Sequence, residues 1–118
     1  MINSEDAFKN WPTKNIVLFG NDIKTRDIII NNIKTIHQAS VITDLTFLKN
    51  PNQNDEVLII LDIDEKLKNA DHKTVLNFFE FLDLSVSHVL LTTSTLPKLM
   101  DVQEDILSRL NSYFMIKI

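Results

Sequence analysis

Glu56-Val57-Leu58-Ile59-Ile60-Leu61-Asp62 decides the fold: five unbroken aliphatic residues run into a carboxylate. A strand with one wet face alternates apolar and polar side chains. An uninterrupted aliphatic run belongs to a strand covered on both faces, as in a parallel sheet flanked by helices. Working outward, Asn15-Ile16-Val17-Leu18-Phe19-Gly20 is a second short apolar run, closed by glycine. His88 to Leu91 is a third, continuing into Thr92, Thr93 and Ser94, and Tyr113 to Ile118 is a fourth. Ala39 to Thr43 also reads as a strand.

Helical spacing fills the intervals. Between Lys24 and His37 the apolar positions are Ile28, Ile29, Ile33 and Ile36. Isoleucine has modest helix propensity, so packing must hold that helix. Val75, Leu76, Phe78, Phe79 and Leu82 give the segment from His72 to Leu82 a heavy apolar stripe. Pro97 suits the first turn of a helix running to about Leu110. Leu45 to Lys49 is long enough for one helical turn, stopped by Asn50, Pro51 and Asn52. Ser4 to Trp11 could form a short helix with Ala7, Phe8 and Trp11 on one side.

Gly20 is the only glycine. Tight primed hairpin turns need residues that tolerate positive φ, which argues against an all-β meander and for strands joined through helices. The expected architecture is α/β: a flavodoxin-like, three-layer sandwich with a five-stranded parallel sheet in the order 2-1-3-4-5 and right-handed crossovers. A length of 118 residues suits one domain, with residues 1–13 as an N-terminal extension. No helix is expected after the last strand.

The 44% apolar content supports a core without metal or disulfide. There is no cysteine, which removes disulfides, thiol catalysis and thiolate metal sites. Acidic residues outnumber basic ones 16 to 12, giving a formal charge of −4. No basic block is long enough to neutralise a run of phosphates, so direct nucleic-acid binding is not expected. The N-terminus is interrupted by Glu5, Asp6 and Lys9 and is no signal peptide, and no apolar run approaches a membrane span. A cytoplasmic location without membrane contact is expected.

In an open parallel sheet, ligands gather beyond the carboxyl ends of the strands. Those ends are Gly20-Asn21-Asp22, Asp62-Ile63-Asp64, Thr92-Thr93-Ser94 and Lys117. Asp62 and Asp64 form an Asp-x-Asp pair, but the shared face of residues i and i+2 is lost quickly past a strand end. Gly20 with Lys24 and Thr25 bears on a phosphate-binding loop, but that motif needs glycine immediately before the lysine, where this chain has Ile23. His37, His72 and His88 have no metal-ligand spacing. Phe81 falls off the main stripe of its helix and, if exposed, would mark a partner surface; Trp11 raises the same question. No nucleophile–base pair or glycine-rich cofactor loop is present, so no enzymatic activity is expected.

The same strand ends carry a family resemblance over nearly the whole chain. Ile16 to Arg26 resembles the first strand and helix start of response-regulator receiver domains, of the CheY-like kind. Val57 to Asp64 resembles their phosphorylated strand, which puts Asp62 in the phosphoacceptor place. Val89 to Thr93 resembles the strand ending in the switch hydroxyl, giving that role to Thr92. Phe114 to Lys117 resembles the aromatic strand that ends in the phosphate-sensing lysine. The resemblance departs where receivers hold Mg²⁺: Gly20 and Asn21 replace the acidic pair, leaving Asp22 and Asp64 as remnants of a degenerate metal site. Mg²⁺ requires hard, charged oxygen ligands in octahedral geometry, and Glu65 to Lys68 replace the usual proline and glycine. Receivers also carry a fifth helix after the last strand, so its lack here fits an excised fragment, another covering element, or an interface.

The resemblance therefore implies an atypical receiver in a two-component or transcription-regulatory setting, such as the module ahead of a flagellar master-regulator type activator. It implies a protein partner or a homodimer, no cofactor, and action without phosphorylation. The alternative is a working receiver modified on Asp62, for which Mg²⁺ would be needed. Lys117 would then serve either as a solvent-exposed lysine or as the charge partner of Asp62.

Overall fold

The structure is a computed structural model that describes residues 15–45, 56–85 and 87–118. The Ser4–Trp11 segment, Trp11 itself and the Asn50-Pro51-Asn52 stop lie outside the described residues, as does most of the Leu45–Lys49 turn.

Five apolar runs become β1 (Ile16–Phe19), β2 (Ala39–Ile42), β3 (Val57–Ile60), β4 (His88–Thr93) and β5 (Phe114–Lys117). The helices are α1 (Ile23–Ile36), α2 (Ile63–Lys68), α3 (His72–Leu84) and α4 (Glu104–Asn111), with one 3₁₀ turn at Pro97–Leu99. All neighbouring strands pair in parallel, so the α/β reading and the single parallel sheet hold.

The expected strand order does not. The sheet runs β2-β3-β4-β1-β5 rather than 2-1-3-4-5. β1 sits between β4 and β5, its Leu18 beside Thr92 and its Phe19 beside Lys117. Right-handed crossovers that travel in opposite directions along a sheet place their helices on opposite faces. The step from β1 to β2 travels one way and puts α1 on one face, over Ile16, Leu18, Val57, Ile59, Leu90 and Ile116. The steps from β3 to β4 and from β4 to β5 travel the other way. Their helices α2, α3 and α4 cover Val17, Leu58, Ile60, Val89 and Leu91. β3 is buried at every position, as its unbroken aliphatic run requires.

Three local expectations are corrected. In α1 the buried residues are Ile29, Ile30 and Ile33, while Ile28 is 54% and Ile36 72% exposed. Three consecutive isoleucines let the apolar stripe be read one position early, and only docking on the sheet fixes the rotation of the helix. The single helix expected from Pro97 divides, because Met100 and Gln103 are extended and α4 begins only at Glu104. Finally, Ile63 and Leu67, one helical turn apart, bury α2, a helix too short to stand out as an apolar stripe in the sequence.

Candidate functional site at the carboxyl ends of the strands

With this order the chain reverses direction between β4 and β1, so the crevice where ligands gather lies beyond Phe19 and Thr93. The β1–α1 connection there is Gly20, Asn21 and Asp22. The Gly20 N–H donates to the Thr93 carbonyl (3.0 Å), and the Ile118 N–H donates to the Phe19 carbonyl (2.8 Å). Gly20 has φ +144°, and a Cβ placed on it would lie 2.3 Å from the Ile118 carbonyl oxygen. Glycine is therefore required by conformation and by space. Asp22 caps α1: its carboxylate accepts the Thr25 N–H at 3.0 Å and the Thr25 hydroxyl at 2.7 Å. Those bonds, the backbone one first, hold Asp22 below the usual carboxyl range.

Asp62 lies at the end of β3 in the left-handed region, at φ 54° and ψ 52°. This costs an L residue energy unless its surroundings fix it, and aspartate is among the residues that tolerate it. Its N–H donates to the Thr92 hydroxyl (2.8 Å), and its carboxylate accepts from Arg26 Nη1 (3.2 Å). Lys66 Nζ donates to the Leu61 carbonyl beneath. The fold thus joins Asp62 and Thr92, and it makes Thr92 a structural residue, whose buried hydroxyl satisfies the amide of the strained aspartate. With half of the Asp62 side chain exposed, the Arg26 pair contributes roughly 0.2–1 kcal/mol.

Lys117 and Phe114 are not brought to this cluster. β5 is three strands away from β3, a distance of about 14 Å at the usual strand spacing. Lys117 is exposed and Phe114 half-buried on the α1 face. Of the two readings of Lys117 the solvent-exposed lysine holds, and the charge partner of Asp62 is Arg26, which stands one helical turn after Asp22 in α1. That position is the only signal for it in the sequence.

Asp64 faces elsewhere. It is 5% exposed in α2, and its Oδ2 accepts from the hydroxyls of Ser94 (2.8 Å) and Thr95 (3.2 Å). Its Oδ1 is buried and is reached by neither hydroxyl. Burial pushes the carboxyl up, but the Ser94 and Thr95 hydroxyls, with the Glu65 and Ser94 amides, more than offset this and leave it below the usual range. The Asp-x-Asp pair is therefore split between Arg26 on one side and the β4 loop on the other. Together with Gly20, Asn21 and Asp22 it forms no metal cradle, and no group of three or more candidate ligands occurs among the described residues. Of Thr92, Thr93 and Ser94, the hydroxyls that the sequence marks at this strand end, Ser94 holds Asp64, together with Thr95 just beyond it.

A carboxyl depressed in the folded state stabilises the fold above its unfolded value of about 3.9, and that contribution disappears as pH falls through the lower folded value. Wild type is thus expected to lose stability faster than Asp64→Asn below about pH 4. Urea melts of both proteins at several pH values check this, and parallel curves would show that Asp64 does not contribute in this way.

No protein-family model matches the chain, and no curated relative does. Solved structures do. DnaA from Aquifex aeolicus bound to AMPPCP superposes with a TM-score of 0.70 at 16% identity, over 97% of this chain and 44% of that one. The replication initiator DnaA bound to AMPPCP and single-stranded DNA gives 0.70 at 15% identity, over 97% and 43%. A DNA replication initiation factor gives 0.66 at 15% identity, over 91% and 40%. The fold is thus similar to that of a segment of these replication initiators. The chain spans about two fifths of their length.

The resemblance to receiver domains is overturned by the same findings. The strand order is not the receiver order, and the structural likeness is to replication initiators rather than to response regulators. The two-component and transcription-regulatory setting goes with it. One of these initiators is bound to single-stranded DNA, so the exclusion of nucleic acid drawn from charge does not extend to the fold. Among the described residues, no helix is long and apolar enough to cross a membrane.

Proposed function

We propose that this chain is a DnaA-like module that works in replication initiation through protein contacts, in the cytoplasm, without binding nucleotide and without catalytic turnover. The fold likeness to the initiators supports the setting. The observation that carries nucleotide independence is the β1–α1 connection. A phosphate-binding loop wraps the anion in successive backbone N–H groups ahead of a helix N-terminus. Here only Gly20, Asn21 and Asp22 separate β1 from α1. The Gly20 amide is spent on Thr93, and the Asp22 carboxylate already sits on the Thr25 amide. A phosphate arriving there would meet a like charge at the one place where helix amides could hold it.

Titrating the ¹⁵N-labelled chain with AMPPCP and Mg²⁺ tests this. No saturable shift of the Gly20, Asn21 and Thr25 amides at millimolar nucleotide is expected, and saturable shifts there would reject the reading. A parallel titration with a single-stranded oligonucleotide separates a protein-contact module from a nucleic-acid binder. Saturation in that arm would make the chain a nucleic-acid binder.

A further inference from the structure

Beside the strand ends, α2 and the connection from Thr95 to Gln103 border a trough that shares only Asp64 and Thr95 with the site described above. Its inner section, about 300 Å³, is floored by Leu67, Met100 and Val102 and includes Asp64 and Leu99. Its outer section, about 440 Å³, continues over Val75 and Ile106 to Glu104 and His72. The two sections share Leu67, Asp101 and Val102, so they form one surface.

Three features describe what would fill it. The first is apolar: Leu67, Val75, Met100, Val102 and Ile106 line the trough, and Leu99 continues that surface at the lip, where it is 70% exposed. The second is charge. Asp101 and Glu104 are exposed on the rim, and Asp64 adds a buried negative charge at the inner end. The lysine at the trough, Lys68, is already engaged by Glu65 at 3.6 Å, and His72 by Asp105 at 3.6 Å. The third is the Asp64 carboxylate, which lines the inner end with only its Oδ2 held by side-chain hydroxyls.

We propose that this trough docks a short segment of a partner protein that carries an apolar side chain beside a lysine or arginine. The apolar side chain would bury Leu99 against the floor, and the cation would face Asp64, Asp101 and Glu104. Attraction of this kind in a partly desolvated trough is stronger than between exposed ions. The proposal deepens the reading of the chain as a protein-contact module and rests on that reading.

The test uses the whole ¹⁵N-labelled chain and two probes, an amphipathic leucine–lysine peptide and its leucine–glutamate copy. The basic peptide is expected to give saturable amide shifts confined to residues 64–68 and 95–106, and the acidic copy none. The surface variant Asp101→Lys/Glu104→Lys should weaken binding at least tenfold while its amide spectrum away from residues 101–106 stays that of the folded chain. Leu99→Ser should weaken it several-fold. Silence with the basic peptide at millimolar concentration, equal binding of the acidic copy, or indifference to the charge reversal would overturn the proposal. So would trough shifts that grow with protein concentration alone, which would assign the surface to a second copy of this chain. Nucleotide titration stays separate: saturation there retires the nucleotide-independent reading while leaving a positive peptide result standing.

Discussion

Phe78→Ala is expected to destabilise the chain by about 3–5 kcal/mol, the usual range for removing a fully buried phenyl ring. Phe78 is 0% exposed on α3, in the cluster with Leu58, Ile60, Val89 and Leu91. Its ring stands edge-on to Phe79, with centroids 5.9 Å apart and planes at 80°. Domains of this size are stable by only about 5–15 kcal/mol, so this substitution alone would remove much of the margin. Phe81→Ala provides the internal contrast. Phe81 is half-buried and lies against Phe78 at 6.5 Å, so it is a buttress of the core and not the exposed partner surface its helical position suggested. Its loss should cost less than half as much. Urea midpoints of the three proteins, at unchanged m-value, measure both effects. Equal losses would mean that α3 is not rotated toward the sheet as described.

Gly20→Ala is the second large effect, at about 2–4 kcal/mol from backbone strain and overpacking together. The methyl group would meet the Ile118 carbonyl at 2.3 Å, in a backbone conformation that L residues rarely adopt. Relief would require moving Ile118, whose N–H is bonded to Phe19, or Gly20, whose N–H is bonded to Thr93. Either movement unpicks the end of β1 from a neighbouring strand. Asn21→Ala, one residue on and exposed, should change stability by less than about 0.5 kcal/mol. Thermal or urea unfolding of the pair measures the difference, and an alanine tolerated at both positions would place Ile118 elsewhere.

These two residues show how unevenly the molecule can be read. The stripe of α3 carries Phe78 in plain view, since helical spacing of aromatics predicts burial whatever the topology. Gly20 is visible only as the end of an apolar run. Its close approach to Ile118 exists because β1 lies beside β5, which no local pattern encodes. The site divides in the same way. Asp22 as the cap of α1 follows from a short polar residue between a strand and a helix, and the structure forms that bond. Asp62 beside Thr92 also holds, because β3 and β4 are neighbours in either strand order. Lys117 opposite Asp62 fails, because that pairing depended on β5 lying next to β4.

By itself the sequence determined an α/β domain with a five-stranded parallel sheet. It also marked β3 as an inner strand, because unbroken aliphatic runs must be covered on both faces. The orders 2-1-3-4-5 and 2-3-4-1-5 share the same two edge strands and the same three inner strands. They therefore place the same demands on hydrophobic pattern, and periodicity cannot separate them. Only the tertiary structure decided that β1 lies between β4 and β5. That insertion moved the reversal point of the sheet, put Arg26 rather than Lys117 beside Asp62, and made the fold similar to a segment of the replication initiators rather than to a receiver. The physical reason is that burial is a property of each strand alone, whereas adjacency is settled by which strands the crossover helices can span while packing on both faces at once.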